Sequence, residues 1–201
     1  GSFARNRPTP GTETALNLMR AFAGESQARN RYTIAAHTAK EQNQYLLSQV
    51  FLFTANQEKE HAARLWKMMA GVTGQNIQIE GGYPVETSSD LVTLLQSSVH
   101  NEMEEAETVY PAFAETARKE GFAREADFFT RLSKVEKEHA ERFKRFADLL
   151  SQQKLFSGGV QGWICLNCGY IHEGDSAPQV CPLCEHPQGY FIRTDLSPFR
   201  G

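Results

Sequence analysis

Residues 57–62 read QEKEHA and residues 134–143 read KVEKEHAERF. Each stretch holds a Glu-x-x-His pair, Glu58 with His61 and Glu136 with His139, and this spacing sets both side chains of a pair on one helix face. A further glutamate precedes each pair: Glu25 lies 33 positions before Glu58, and Glu102 lies 34 before Glu136. One Glu from a helix and Glu-x-x-His from the next, twice over, is the donor set of a carboxylate di-iron or di-manganese centre inside a four-helix bundle. The donors suit either metal, and spacing alone does not choose between them.

Outward from these pairs, residues 12–70 and 87–150 are dense in Ala, Glu, Arg, Leu and Phe with helical periodicity. Helices are expected over 12–40, 42–70, 88–119 and 122–151. Lys40 to Asn43 joins the first two, Gly121 marks the last turn, and Thr87-x-x-Asp90 is a capping signal for the third. In every helix an acidic residue interrupts the apolar stripe, as Glu25 does between Phe22 and Tyr32, or Glu136 between Leu132 and Phe143. Five bare carboxylates on core-facing stripes (Glu105 included) would each cost on the order of several kcal/mol. Two divalent cations bring the sum close to neutral. A buried ion-pair network with Arg29 or Arg142 is the alternative, but it would not call for Glu and His at i, i+3 twice.

The halves read as a duplicated helix pair: a shift of 77 carries Glu25 onto Glu102, and 78 carries Glu58 and His61 onto Glu136 and His139. The first shift sets Glu105 against Ala28, so Glu105 is a donor candidate without a counterpart. Pro111 lacks an amide hydrogen and should bend or bulge its helix just past Glu105.

The connection GVTGQNIQIEGGYPVET is long for a bundle loop and suits the crossover of a ferritin-like bundle. After residue 151 the composition changes. The expected organisation is a bundle over 12–151, a linker over 152–161 and a small domain over 162–201. That domain holds all four cysteines, Cys165-x-x-Cys168 and Cys181-x-x-Cys184. Four thiolates so spaced bind one tetrahedral iron or zinc, and they fit a reducing compartment better than disulfides do. Gly169 allows the tight turn after the second cysteine, and Trp163, Tyr170, Tyr190 and Phe191 are expected to form a small aromatic core.

The formal net charge of −3 gives no reason to expect nucleic acid or an anionic membrane as partner. No run of 18 apolar residues predicts a membrane span. The opening GSFARNRPTPGTE lacks the apolar core of a signal peptide, and Gly1-Ser2 reads as a cloning remnant. A cytoplasmic protein is the expectation.

Together AFAGESQARNRY, QEKEHA, NEMEEAETVYPAF, KVEKEHAERF, CLNCGYIHEG and CPLCEHP resemble rubrerythrin over about residues 12–195. The resemblance implies a mainly α protein: a ferritin-like four-helix bundle followed by a rubredoxin-like domain. It implies two irons held by Glu25, Glu58, His61, Glu102, Glu105, Glu136 and His139, and one iron held by Cys165, Cys168, Cys181 and Cys184. Glu58 and Glu136 would bridge; Glu25, Glu102 and His139 would be terminal. Glu105 and His61 would exchange on one iron with redox state, and Tyr32 and Tyr110 would stand behind the ligands. The implied activity is reduction of hydrogen peroxide to water, with electrons from a donor protein relayed through the thiolate iron. A head-to-tail homodimer is implied, with helix exchange in some relatives. The competing readings are a ferroxidase or iron-storage protein, a metal-binding scaffold without redox function, and an oxygen-scavenging oxidase.

Overall fold

The structure, a computed structural model, describes residues 6–158 and 161–197. Gly1-Ser2, two linker residues and the last four residues of the expected 162–201 domain lie outside them. The described chain is mainly helical: α1 (Glu13–Glu41), α2 (Tyr45–Met68), α3 (Leu91–Glu104), α4 (Tyr110–Lys119) and α5 (Ala123–Ser151). Each expected helix is present with ends displaced by a few residues. Asp90, not Thr87, supplies the cap of α3: its carboxylate accepts from the Thr93 amide at 2.9 Å and the Thr93 hydroxyl at 2.8 Å. The Thr93 amide is a donor the helix leaves over at its N-terminus, and its bond holds the Asp90 carboxyl below its usual range.

Between α3 and α4 the helix continues through a single π turn, Glu105–Val109, where the Tyr110 amide donates to the Glu105 carbonyl. The expected bulge is therefore present, and it ends where Pro111 begins. The Ala106 carbonyl faces a proline without a donor, and the Ser133 hydroxyl of α5 supplies one at 3.0 Å.

The chain divides into two compact units. One comprises Gly1–Asn30, Ala55–Val85 and Asn101–Lys137. Its core joins Leu18, Leu65, Met69, Tyr110, Phe129 and Leu132. Glu120, in the turn before α5, accepts the Glu13 amide at 3.1 Å and the Thr14 amide at 2.6 Å, and so caps α1. Gly121 adopts φ of 85°, the left-handed conformation that lets the Phe122 amide close on the Ala117 carbonyl at 2.8 Å.

The other unit comprises Arg31–Thr54, Glu86–His100 and Glu138–Gly201. Tyr32 is buried between the rings of Phe51 and Phe143. The α1–α2 corner repeats the Gly121 turn with Asn43 at φ 59° and the Gln44 amide on the Ala39 carbonyl at 2.9 Å. The cysteine-bearing region forms an antiparallel sheet in the order β2-β1-β3, from β1 (Gly162–Cys165), β2 (Ile171–Glu173) and β3 (Phe191–Arg193). Trp163 and Phe191 are buried with Cys165, Ala177 and Cys181, and Phe156 and Tyr170 pack against them. Tyr190 flanks this core and also stacks on Tyr45 of α2, centroids 4.3 Å apart. A Cβ on Gly189 would stand 1.8 Å from the Asn43 carbonyl oxygen, so only glycine permits this approach of the small sheet to the α1–α2 corner.

Candidate metal centres

Five of the residues expected on core-facing stripes are buried, although none is apolar: Glu25, Glu58, Glu102, Glu136 and His139 each expose at most 1%. Glu58 with His61, and Glu136 with His139, project from one face of their helices, as i, i+3 pairs must. Two overlapping groups result. Glu25, Glu58, His61 and Glu136 bring ligand atoms within 4.8 Å of one another, and so do Glu58, Glu102, Glu136 and His139. Glu58 and Glu136 belong to both groups, the geometry of residues shared between two cations. His61 Nδ1 stands 3.6 Å from Glu25 Oε2, 3.7 Å from Glu58 Oε2 and 3.4 Å from Glu136 Oε1. Donors bonded to one metal at about 2.0–2.2 Å stand at such separations from each other.

Glu105 departs from the expectation of five buried carboxylates. It is partly exposed at the start of the π turn and belongs to neither group. It lines a cavity of about 240 Å3 instead. Four buried carboxylates remain, and two divalent cations balance them in full. Tyr110 Oη donates to Glu25 Oε1 at 2.9 Å, while Glu25 Oε2 is buried and accepts no hydrogen bond. A buried carboxylate oxygen in that position is a donor atom fit for a metal ion. Burial first, then the Glu105, Glu136, Glu58 and Glu102 carboxylates, push the Tyr110 phenol well above its usual range, so it stays protonated and able to donate.

In the small sheet Cys165 and Cys184 sulfurs lie 3.8 Å apart, and those of Cys168 and Cys181 lie 3.7 Å apart. A disulfide needs about 2.0 Å. A tetrahedron with metal–sulfur bonds of about 2.3 Å has edges of about 3.8 Å, so the four sulfurs fit one tetrahedral ion. Gly169 turns the chain at φ 83° and its amide donates to the Cys165 carbonyl at 2.8 Å. Burial pushes the Cys165 thiol up to about 12, against backbone amides of Cys168 and Asn167 that favour the thiolate. Cys184 is lowered to about 6: desolvation opposes ionisation, but the His186 amide, the Asn167 side chain and the neighbouring Cys168 and Cys181 outweigh it. Amides directed at sulfur are a lever on the potential of a thiolate iron.

Sequence reasoning did not single out Arg20, Tyr83, Asn101 or Ser133. Tyr83 belongs to the long connection between α2 and α3, where Gly81-Gly82-Tyr83-Pro84 was the available signal. Its hydroxyl donates to the Arg20 carbonyl at 2.8 Å. Arg20 Nε donates to the Glu80 carbonyl at 2.9 Å, and its Nη1 is held by Glu13 at 2.7 Å and Asn17 at 2.9 Å. Burial, opposed by Arg20 and reinforced by Glu105, holds the Tyr83 phenol above its usual range.

Known proteins agree with this arrangement. The family model described as Rubrerythrin matches residues 17–147, and one described as Rubrerythrin, rubredoxin-like domain, matches 163–192. Rubrerythrin-1 of Clostridium acetobutylicum is 44% identical over 183 residues, 90% of this chain and 94% of that protein. The rubrerythrin of Nitratidesulfovibrio vulgaris is 39% identical over 182 residues, with the same coverage. A structure of nigerythrin in a mixed-valence state superposes with a TM-score of 0.61 at 29% identity, covering 94% of this chain and 90% of that one. A Desulfovibrio desulfuricans bacterioferritin, 18% identical with a TM-score of 0.64 over 71% of this chain and 82% of that one, shares the ferritin-like helical fold. With a carboxylate di-iron site in its helices and a four-cysteine rubredoxin-like site after them, the chain belongs to the rubrerythrin family.

Proposed function

We propose that this protein is a non-haem peroxidase that reduces hydrogen peroxide to water in defence against oxidative stress. The observation that carries the reading is the pairing of a neutralisable two-cation carboxylate cluster with a four-thiolate site in one chain. Storage of iron needs the first but has no use for the second. When bound, the iron pair supplies the two electrons that, with two protons, convert one peroxide to two waters, and the thiolate iron resupplies electrons singly.

The residues divide the remaining work. Glu25, Glu58, Glu102, Glu136, His61 and His139 would hold the pair, with Glu58 and Glu136, which belong to both groups of donors, available to both cations. Glu105, at the cavity edge on a widened turn, would exchange with His61 as the charge of the centre changes, as the resemblance to rubrerythrin implies. Tyr110 fixes Glu25 through its hydroxyl and keeps its proton, which leaves one Glu25 oxygen for metal. Tyr32, packed on Phe51 and Phe143, keeps its end of the helices dry. Cys165, Cys168, Cys181 and Cys184 hold the single iron, and residues 12–151 and 162–201 act as separate functional modules. The electron donor is a reductase or a rubredoxin-like carrier protein, the assembly a homodimer, and the compartment the cytoplasm, where four thiols stay reduced.

The test is an anaerobic titration of the iron-loaded, fully reduced protein with peroxide, following the visible absorbance of the thiolate iron. Reoxidation consuming one peroxide per two electrons is expected. No return of colour with both sites loaded would move the reading to ferroxidase or storage.

A further inference from the structure

The cavity of about 240 Å3 beside Glu105 holds several molecules of water's size, each of which fills about 30 Å3 in the liquid. Besides Glu105 it is walled by Gly24, Asn101, Tyr83 and Tyr110. Its outer edge reaches solvent at Tyr83, 39% exposed, and its inner edge is the Tyr110 hydroxyl that donates to Glu25. Midway, a Cβ on Gly24 would lie 3.6 Å from Tyr83 Cε1 and 3.8 Å from Tyr110 Oη. A methyl group would therefore fit there without displacing anything, and would narrow the gap between Tyr83 and Tyr110.

Two further observations point to a ligand. Asn101 belongs to the wall of this cavity, and its Nδ2 is buried without a hydrogen-bond partner. A buried amide donor in that state costs free energy unless something bonds to it. The covering segment, meanwhile, has no regular secondary structure and is tied to α1 by hydrogen bonds from Tyr83 Oη to the Arg20 carbonyl and from Arg20 Nε to the Glu80 carbonyl.

We propose that this cavity is the port by which peroxide reaches the metal centre, with Tyr83 as its latch and the Asn101 amide, once turned out of its buried position, as the donor that receives the incoming oxygen. The inference rests on the peroxidase reading for the identity of the oxidant. Peroxide both donates and accepts hydrogen bonds. The polar side chains in its wall, among them Tyr83, Tyr110, Asn101 and Glu105, can exchange hydrogen bonds with peroxide, whereas dioxygen donates none.

The test is stopped-flow binding of azide, a small probe of metal access, to the iron-loaded oxidised protein. Tyr83→Phe removes the latch bond and keeps the ring, so azide should enter and leave about three- to tenfold faster, the range set by one hydrogen bond, with its Kd unchanged. Gly24→Ala should slow both rates. Asn101→Leu should leave entry alone and weaken binding about three- to tenfold. Each variant is matched to the parent for iron content and melting temperature, and Tyr83→Phe and Asn101→Leu decide the matter if Gly24→Ala does not fold. Entry rates equal to the parent's in both Tyr83→Phe and Gly24→Ala would overturn the port. Peroxide reoxidation of the reduced parent is followed in parallel. Shifted azide rates without that reoxidation would sink the peroxidase reading while the port stood as an access route.

Discussion

Tyr110 shows how much one hydroxyl can settle. Its bond to Glu25 satisfies one oxygen of a carboxylate with no exposure and leaves the other directed at the cluster. In the metal-free protein Tyr110→Phe should cost about 1–3 kcal/mol, because a buried acceptor is left bare; chemical denaturation with and without iron measures it. An equal loss in the loaded protein would mean that the bound cation offers Glu25 no compensation. Ser133 works on a smaller scale. Ser133→Ala removes the donor to the Ala106 carbonyl and should cost about 1 kcal/mol, visible as a lower urea midpoint with an unchanged slope. The resemblance set Tyr110 behind the ligands without naming Glu25, 85 positions away, and nothing in the sequence paired Ser133 with Ala106, 27 positions away. Long-range hydroxyl bonds depend on how helices pack, and periodicity carries no trace of them.

Helices, by contrast, were largely legible, because an apolar stripe broken by Glu or His at fixed steps has few other solutions. The capping residue of α3 was misread by one turn: both Thr87 and Asp90 suit the role, and the choice falls where the amides of the first turn point. Asp90→Ala should lower the melting temperature by a few degrees. The linkage has a definite sign: a carboxyl lowered by its bond to Thr93 stabilises the protein above the ordinary carboxylate range, and that contribution is lost as pH falls through the lowered value. Thermal melts across this acid window should therefore converge for parent and variant at the low end. The corner of α1 and α2 makes a different demand. Gly189→Ala would drive a methyl group into the Asn43 carbonyl, so the small sheet must leave that corner and the Tyr45–Tyr190 stack must open. Faster limited proteolysis within residues 152–161, with the helices intact by circular dichroism, is the expected outcome. No sequence pattern announced that contact, which joins a turn to a 3-10 segment more than a hundred residues away.

For the molecule as a whole, the four buried carboxylates of the cluster, Glu25, Glu58, Glu102 and Glu136, make the metal part of the fold. Removing both cations with a chelator should lower the melting temperature of the helices, and ferrous or manganous ion should restore it. No described helix is long and apolar enough to cross a membrane. The π turn carries the deepest consequence. From the α2 start at Tyr45 to Glu58, and from the α5 start at Ala123 to Glu136, the count is the same, and the two corners share one turn motif. The spare position that makes 34 out of 33 therefore lies in the helix that contains the π turn. Tyr32 follows Glu25 by seven residues and Tyr110 follows Glu102 by eight. At about 100° per residue, seven steps return a side chain to within about 20° of its starting face, whereas eight would leave it about 80° away. The widened turn absorbs the eighth, and Tyr110 arrives on the face that Tyr32 occupies in the first pair. Deleting Glu107 should accordingly leave every residue from Tyr110 onward in its place, a single codon undoing only the asymmetry that presents Glu105 to the cavity.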